Sequence, residues 1–425
     1  MNCYVVGDFD PELLRQFAES WQAQHRAKIQ VKTGPWDGKD GFALINPATL
    51  GQFVDQNCLI PVPGTLTGFS SNYRWDEILY SRQILRWNDQ DFALPFSTRC
   101  LLMVYRKDAF SKENAVPETW EQLVSYLKNN SGKLAHLPVA WQQWLFYQIA
   151  ADYDASAVTQ IAPGATITDE FFAFHFDPKT TQNRLDRPAF AESVSVLQAL
   201  YKNSAAENAL LSQLKDKTAT CALVTLKELG EIANDPELRE AIGIIARPGA
   251  ESTFSPQNQR LPVLTSKMNR LPYVGDGGVI AVVSKNCSHP EAAWDFLTSL
   301  TSPAESIQKL IANPRGGVGP TRAVHLDPRS RDAWLSYMLN SEQTEQLMRA
   351  VKDSYPAGVQ NAKKVLRLPI NDELGAILQQ ELQRAIKEQS PAPEAVKKIS
   401  ESWKQKMAPI PLPDRLLMLS KNLGL

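Results

Sequence analysis

Short β-type runs alternate with helical segments from the first residues of the chain. Residues 4–6 (Y-V-V) have the pattern of a strand, and Asp10 then caps a helix that begins with a proline and an acid and continues to Trp21. Residues 29–31 and 42–45 have the pattern of a second and a third strand. Strands that alternate with helices in this way predict βαβ units and a mainly parallel sheet.

Later segments extend this α/β pattern and add helices. Residues 75–87 are predicted to be helical, and residues 100–105 are apolar on both faces, as in a strand inside a sheet. The pattern S/T-x-x-E/Q predicts capped helix starts at Thr119, Ser288 and Ser302. Two apolar stripes at helical spacing predict further helices near the C-terminus, before a proline-rich tail that cannot continue a helix.

Length and composition indicate a folded chain of several domains. The chain has 425 residues, enough for about two to three domains. Its 43% hydrophobic and 21% charged residues are ordinary for a globular protein. With 45 Lys and Arg against 46 Asp and Glu, the balanced charge favours neither nucleic acid nor an anionic membrane surface as a partner.

Motifs of common enzymes are missing from the sequence. There is no P-loop, no G-x-S-x-G elbow and no H-E-x-x-H, and the five histidines are far apart. The glycine-rich residues 275–278 and 316–319 lack the full dinucleotide pattern and predict turns or close backbone approaches. We therefore expect no catalytic residue, no metal and no cofactor, although distant residues can still meet in space.

The five cysteines do not indicate a metal site. None belongs to a C-x-x-C pair, which is the spacing that zinc and redox motifs use. The number is odd, so at least one thiol is unpaired within the chain. A Cys58–Cys100 disulfide is possible, but buried free thiols are the expected state for most of the five.

Aromatic residues in loop-like stretches are candidates for contact with a ligand. Trp36, Trp141, Trp144 and Tyr273 occupy such stretches. Sugars present flat patches of C–H groups that stack on aromatic rings, and their hydroxyls need polar partners nearby. The alternative for each ring is ordinary packing in the core.

Several local motifs follow one another in order along most of the chain. After the opening strand and helix come residues 94–96 (L-P-F), 102–108 (L-M-V-Y-R-K-D), 116–123 (V-P-E-T-W-E-Q-L), 277–297 and 316–322 (G-G-V-G-P-T-R). In this order the motifs resemble the family 1 extracellular solute-binding proteins, the maltose-binding-protein-like receptors of ABC importers. The resemblance covers nearly the whole chain, and residues 116–123 and 277–297 together are its most specific part.

The resemblance implies an α/β fold of two lobes, the periplasmic-binding-protein-like fold of type II, with the ligand in the cleft between the lobes. Residues 1–102 and 281–313 are expected to form the first lobe, and residues 103–280 and 314–425 the second lobe with its extra helices. A hinge of about three chain crossings joins them, near residues 101–104, 278–281 and 313–320. Such lobes close around a captured ligand.

The resemblance also suggests, loosely, which residues contact the ligand. These are Trp36, Asn46, Ser97, Thr98, Arg99, Trp141, Trp144, Asp276, Gly277, Gly278 and Arg322. Arg99 and Arg322 have an equally reasonable alternative as buried structural cations that pair with acids.

The expected function is that of a receptor for a small solute, a sugar or a related polar molecule, which it delivers to an ABC permease in the membrane. The resemblance implies a monomer, at the cell surface or in the periplasm, with a leader that is not visible in this sequence. No nucleic acid is expected as a partner. Two alternatives stay open, namely a ligand-sensing module for a membrane kinase and an enzyme on the same scaffold.

Overall fold

A computed structural model describes residues 1–7, 9–68, 71–79, 82–111, 114–154, 174–255, 257–263, 268–355 and 362–423. Its strands are β1 (Asn2–Val5), β2 (Gln30–Thr33), β3 (Phe42–Ile45), β4 (Arg86–Trp87), β5 (Gln90–Asp91), β6 (Ala93–Ser97), β7 (Leu102–Arg106), β8 (Cys221–Val224), β9 (Ile242–Ala246), β10 (Ser252–Phe254), β11 (Arg260–Pro262), β12 (Tyr273–Val274), β13 (Val279–Val283) and β14 (Lys363–Lys364).

Helices make up most of the remaining regular structure. They are α1 (Pro11–Gln22), α2 (Leu50–Asp55), α3 (Gly64–Thr67), α4 (Trp120–Asn129), α5 (Gln142–Tyr153), α6 (Pro188–Asn203), α7 (Leu210–Lys215), α8 (Leu226–Ala233), α9 (Pro236–Ala241), α10 (Pro290–Thr301), α11 (Pro303–Ser306), α12 (Arg331–Leu335), α13 (Ser341–Ser354), α14 (Asn371–Glu388), α15 (Ala392–Met407) and α16 (Leu412–Leu423).

The first sheet is built mainly from the opening of the chain. In the described residues it has the order β2-β1-β3-β13-β6. β1 pairs in parallel with β2 and β3, whereas β13 is antiparallel to both β3 and β6. The predicted βαβ start is confirmed, and α1 begins as expected because the Asp10 carboxylate accepts a hydrogen bond of 2.9 Å from the backbone N–H of Glu12.

The second sheet differs from the parallel arrangement that the sequence predicts. In the part of the chain that the structure describes, it has the order β8-β7-β9, and β7 is antiparallel to both neighbours. The prediction of a mainly parallel sheet is therefore wrong for the second sheet, and in the first sheet it holds only for the pairings of β1 with β2 and β3. Apolar residues on both faces of β7 indicate that the strand is buried on both sides. They do not indicate whether its neighbours run parallel or antiparallel to it.

Two hydrophobic clusters cover the faces of these sheets. The first cluster surrounds the first sheet with α1 and α10 and reaches one face of the second sheet, where Leu102 and Val104 lie. The second cluster holds Leu101 and Met103, whose side chains point to the opposite face, together with α4, α5, α6, α14 and α15. Each sheet is thus the centre of its own lobe.

The chain passes between the sheets at three places. β6 belongs to the first sheet and β7 to the second, so residues 98–101 connect them. β13 is back in the first sheet, and Gly319 near the third crossing forms an isolated bridge with Thr98 of the first. β7 begins at Leu102, one residue before the predicted start of the second lobe at residue 103, and β13 begins at Val279, two residues before the predicted return to the first lobe at residue 281. The lobe boundaries stay a prediction.

Some predicted elements are wrong, and the reasons are local. Instead of a helix over residues 75–87, the described residues form short 3-10 turns and then β4. Asn88 and Asp89 both have positive φ, 45° and 61°, and this left-handed pair closes the hairpin between β4 and β5. At the C-terminus the prolines end α15 as predicted, but a further helix, α16, follows them.

The predicted capped helix starts are confirmed only in part. Thr119 Oγ1 accepts a hydrogen bond of 3.1 Å from the N–H of Gln122. Neither Ser288 nor Ser302 caps its helix with the side chain. The residue that caps α10 is His289 and not Ser288, and both helices have a proline in the first turn.

The structure also describes the state of the five cysteines and the length and apolarity of the helices. All five cysteines lie in described parts of the chain and are free, so the possible Cys58–Cys100 disulfide is not formed. Four of them are buried and Cys58 is half-buried, which agrees with the expected free thiols. Within the described residues, no helix has the length and apolarity that crossing a membrane requires.

Candidate functional site

The first and third crossings are hydrogen-bonded to each other beside the start of β7. Ser97 Oγ accepts a bond of 3.2 Å from the N–H of Gly319, and Thr98 Oγ1 donates a bond of 2.9 Å to the carbonyl of Pro320. Tyr355 O–H donates to the carbonyl of Arg99. Ser97 and Thr98 therefore use their hydroxyls to join two crossings, and the backbone that carries Arg99 is held in place.

Arg99 lies over two tryptophans. Its guanidinium carbon is 4.2 Å from the ring centroid of Trp144 and 5.2 Å from that of Trp141. The two indoles meet edge to face, with centroids 5.6 Å apart. A cation in this position is attracted to the ring faces by roughly 0.5–2 kcal/mol per contact.

The tryptophans are covered in this arrangement. Trp141 is 6% exposed and Trp144 is 1% exposed, so neither offers the open ring face that sequence analysis expects of a sugar site. Trp144 Nε1 is buried and has no hydrogen-bond partner among the described residues. A ligand ring can reach these faces only if Arg99 moves or the lobes separate, and the indole N–H is then a donor ready for a ligand oxygen.

Asp276 and Gly277 complete the group from the other side. They belong to a turn in which the N–H of Gly278 donates a bond of 3.1 Å to the carbonyl of Gly275. Gly277 has a φ of 66°, and a Cβ there would overlap the side chain of Arg99. Burial raises the pKa of Asp276, while the positive charge of Arg99 opposes that rise. We call Arg99, Trp141, Trp144, Asp276 and Gly277 the Arg99 cluster.

Three further aromatic residues form a group, of which Tyr147 and His175 were not predicted, whereas Tyr273 is one of the aromatic candidates that the sequence analysis names. The rings of Tyr147 and Tyr273 lie 5.0 Å apart, and His175 Nε2 is 3.2 Å from the hydroxyl of Tyr273. Burial, and then the charge of Asp276, raise the pKa of Tyr147. Tyr147 could have been found because it follows Trp144 by three residues on α5 and shares its face.

The end of β3 lies close to the turn that carries Asp276. Asn46 Oδ1 accepts a bond of 2.9 Å from the N–H of Ala48, so its side chain caps the short turn after β3. Pro47, the next residue, has its Cβ 3.6 Å from the position that a Cβ on Gly275 would take. Pro47 is therefore close to the turn before β13, and part of the hydrogen-bonding capacity of Asn46 is used locally.

The structure does not bring Trp36 and Arg322 to the Arg99 cluster. Trp36 is buried between Tyr4 and Phe53, and its Nε1 donates a bond of 2.9 Å to the carbonyl of Asp40. Arg322 is completely buried. It donates bonds of 2.8–3.0 Å to backbone carbonyls, among them that of Thr301. Trp36 therefore packs as a core residue, and Arg322 is a buried structural cation that backbone carbonyls hold where the alternative expects acids, so we leave both out of the candidate site.

Two observations concern metal-ligating groups and the charge of the buried histidines. Among the described residues, no group of three or more His, Cys, Asp or Glu side chains could hold a metal ion. The two most buried histidines, His175 and His325, have a pKa lowered by burial to about 3, so both are neutral near pH 7. The arrangement is suited to binding a polar molecule with a ring, through stacking, a carboxylate and a guanidinium.

Comparison with protein families gives a match over most of the chain. The model of a family described as bacterial extracellular solute-binding protein matches residues 15–335. The comparison with curated proteins gives no significant match.

Solved structures with the same fold cover nearly the whole chain. MalE from Xanthomonas citri is 13% identical, with a TM-score of 0.69 over 96% of this chain and 97% of the other. Maltose-bound MalE3 of T. maritima is 17% identical, with a TM-score of 0.63 over 96% and 99%. A solute-binding protein of Thermotoga lettingae bound with α-D-tagatose is 16% identical, with a TM-score of 0.64 over 95% and 98%. At these identities the likeness concerns the two-lobed fold.

Proposed function

Because the chain belongs to the bacterial extracellular solute-binding proteins, we propose that it is the receptor of an ABC-type importer that captures a sugar or a related polar solute between its lobes. The observation that carries this proposal is the Arg99 cluster. It combines residues from the first crossing, from α5 and from the turn before β13, and it sits where the lobes meet. Two of the structural relatives were solved with maltose and with α-D-tagatose bound.

Each residue of the cluster has a proposed role. Trp141 and Trp144 stack on the C–H face of the solute, and the free Nε1 of Trp144 donates to one of its oxygens. Asp276 accepts from hydroxyl groups, and Arg99 leaves the face of Trp144 to donate to the solute. The contacts that the solute gains only when the lobes are closed provide the free energy of closure.

A thermal-shift screen over sugars, polyols and phosphorylated sugars tests the proposal. A solute at a concentration 100 times its Kd should stabilise the protein by about 2.7 kcal/mol. If no solute in a broad screen shifts the melting temperature, the proposal fails.

Two tryptophan variants then locate the site. Trp144→Ala should weaken binding of the solute found in the screen by roughly tenfold or more, as measured by calorimetry, because a stacking face and a donor are lost. Trp36→Phe is the matched control, since Trp36 packs in the core of the first lobe, and it should leave the affinity unchanged. Equal losses in both variants would contradict the placement of the site.

The proposed partners follow the family. The receptor works as a monomer at the cell surface or in the periplasm and delivers its solute to an ABC permease. Stimulation of the permease's ATPase in proteoliposomes by the loaded receptor tests this step. A stimulated histidine kinase with an unaffected permease would favour the sensing alternative, and turnover of the solute would favour the enzyme alternative.

A further inference from the structure

The last helix of the chain, α16, is anchored in the second lobe. Leu419 is 4% exposed and belongs to the second cluster, and Met418 packs against that cluster. Leu412 and Leu417, by contrast, are about half exposed. Most of α16 therefore lies on the surface, and its last turns hold it to the protein.

The same last turns also contact the first lobe. Lys421 Nζ is 3.1 Å from Asp55 Oδ1, at the end of α2. That carboxylate oxygen also accepts a bond of 3.0 Å from Nε1 of Trp87, a member of the first cluster. The N–H of Asn88 lies 3.4 Å from the carbonyl of Lys421. An ion pair and a backbone contact thus connect α16 to α2 and to the β4–β5 hairpin.

Arg367 connects the same three parts of the molecule. Its side chain is buried and donates to the carbonyls of Arg86, in the first lobe, and Asn422, in α16. Its N–H donates a bond of 3.0 Å to Asn422 Oδ1. Gly51 is essential to this approach, because a Cβ there would overlap both the ring of Trp87 and the carbonyl of Arg367.

We propose that α16 is a strap that holds the two lobes in the relative position seen here and so sets the equilibrium between their open and closed arrangements. Movement of one lobe against the other must break or shift the contacts of Lys421, because its partner Asp55 lies on the first lobe while Leu419 stays in the second. The strap contacts the first lobe at the end of α2, the helix that follows the turn capped by Asn46. This inference goes beyond solute capture and does not require a known solute.

Interlobe distances measured by double electron–electron resonance test the strap. Spin labels are placed at Glu19→Cys on α1 and Gln383→Cys on α14, both exposed positions, in a Cys58→Ser background that removes the one half-exposed thiol. Lys421→Gln removes the ion pair, and Asp55→Asn removes its charge but keeps an Oδ1 acceptor for Trp87. Lys406→Gln, an exposed lysine on α15, is the matched control for loss of one charge.

In both strap variants, the ratio of the populations at the shorter and the longer interlobe distances should change roughly two- to fivefold, because a partly exposed ion pair has an effect of that size. The Lys406→Gln control should match the parent. Unchanged distances in Lys421→Gln and Asp55→Asn would overturn the proposal. Small-angle scattering of the unlabelled variants repeats the measurement without engineered cysteines. All samples are measured without solute, so a failed solute screen and a failed strap remain distinguishable.

Discussion

At the scale of single residues, His325 shows how burial determines a charge state. It is completely buried, and its Nδ1 accepts a bond of 3.1 Å from the N–H of Thr321, while Nε2 lies 2.8 Å from Ser306 Oγ. Desolvation lowers the pKa of His325 from 6.5 to about 3. The folded state thus requires the neutral ring over most of the acidic range.

This shift predicts a loss of stability in acid. A histidine whose folded pKa is lowered stabilises the fold fully above its unfolded pKa of 6.5, and this contribution is lost as pH falls towards 3. Between pH 7 and pH 4.5 the free energy of unfolding should fall by about 2–3 kcal/mol from His325. Urea unfolding at both pH values measures this fall. In His325→Gln the free energy of unfolding should depend less on pH. An equal slope in the variant would contradict the assignment.

Two glycines separate backbone strain from contact with Arg99. Gly277 and Gly132 both have positive φ, 66° and 79°, but only a Cβ on Gly277 would overlap Arg99, whereas nothing lies within 4 Å of one on Gly132. Both alanine variants should lose about 1 kcal/mol of stability, since L-residues disfavour this conformation. Only Gly277→Ala should also change solute affinity in calorimetry, because it moves Arg99. An affinity change of equal size in Gly132→Ala would point to a general effect of backbone strain.

At the scale of elements, helix α5 depends on a buried ion pair at its C-terminal end. Asp152 and Arg247 are both fully buried and in direct contact. Trp120 Nε1 and the N–H of Leu271 each donate a bond of 2.9 Å to the Asp152 carboxylate. Burial raises the pKa of Asp152 even though Arg247 and these donors favour the charged form. This network aligns the helix that carries the candidate tryptophans.

Breaking this pair should be costly. Arg247→Met leaves a buried carboxylate without its cation, so the free energy of unfolding should fall by about 3–5 kcal/mol. The double variant Asp152→Leu with Arg247→Met should recover part of that loss, because no unpaired charge remains. Urea unfolding of the single and double variants provides the comparison. If the double variant loses as much free energy of unfolding as Arg247→Met and Asp152→Leu lose together, the argument from the unpaired charge is wrong.

At the scale of the whole molecule, the proposed site lies between two lobes whose relative movement is the proposed response to a solute. The first cluster is continuous from the first sheet to one face of the second, so the lobes share apolar contact near the crossings. Closure around a solute is therefore a change in lobe orientation about the crossings, with each sheet intact.

Solute binding should therefore change the shape of the molecule. With saturating solute, small-angle scattering should give a smaller radius of gyration, or a narrower distribution of interlobe distances if the lobes are already close. Trp144→Ala at the same solute concentration should give the curve of the free protein. Binding in calorimetry without any change in scattering or interlobe distance would contradict closure.

Sequence alone determined the order and type of most elements, since caps, helical spacing and apolar runs act within a few residues of each other. It thus predicted β1, α1, β3 and the helix that begins after Thr119. The hairpin at Asn88 and Asp89 was missed because its left-handed backbone follows from the paired strands.

Only the tertiary structure decided which of several similar residues share one place. The sequence predicts loop-like stretches for both Trp36 and Trp144, yet Trp36 packs in the core of the first lobe, whereas Trp144 belongs to α5 and lies under Arg99. Arg99 and Arg322 differ in the same way. The physical reason is that burial and contact depend on segments that are far apart in the chain, as for Arg322 and the carbonyl of Tyr73, and no local pattern encodes which segments meet.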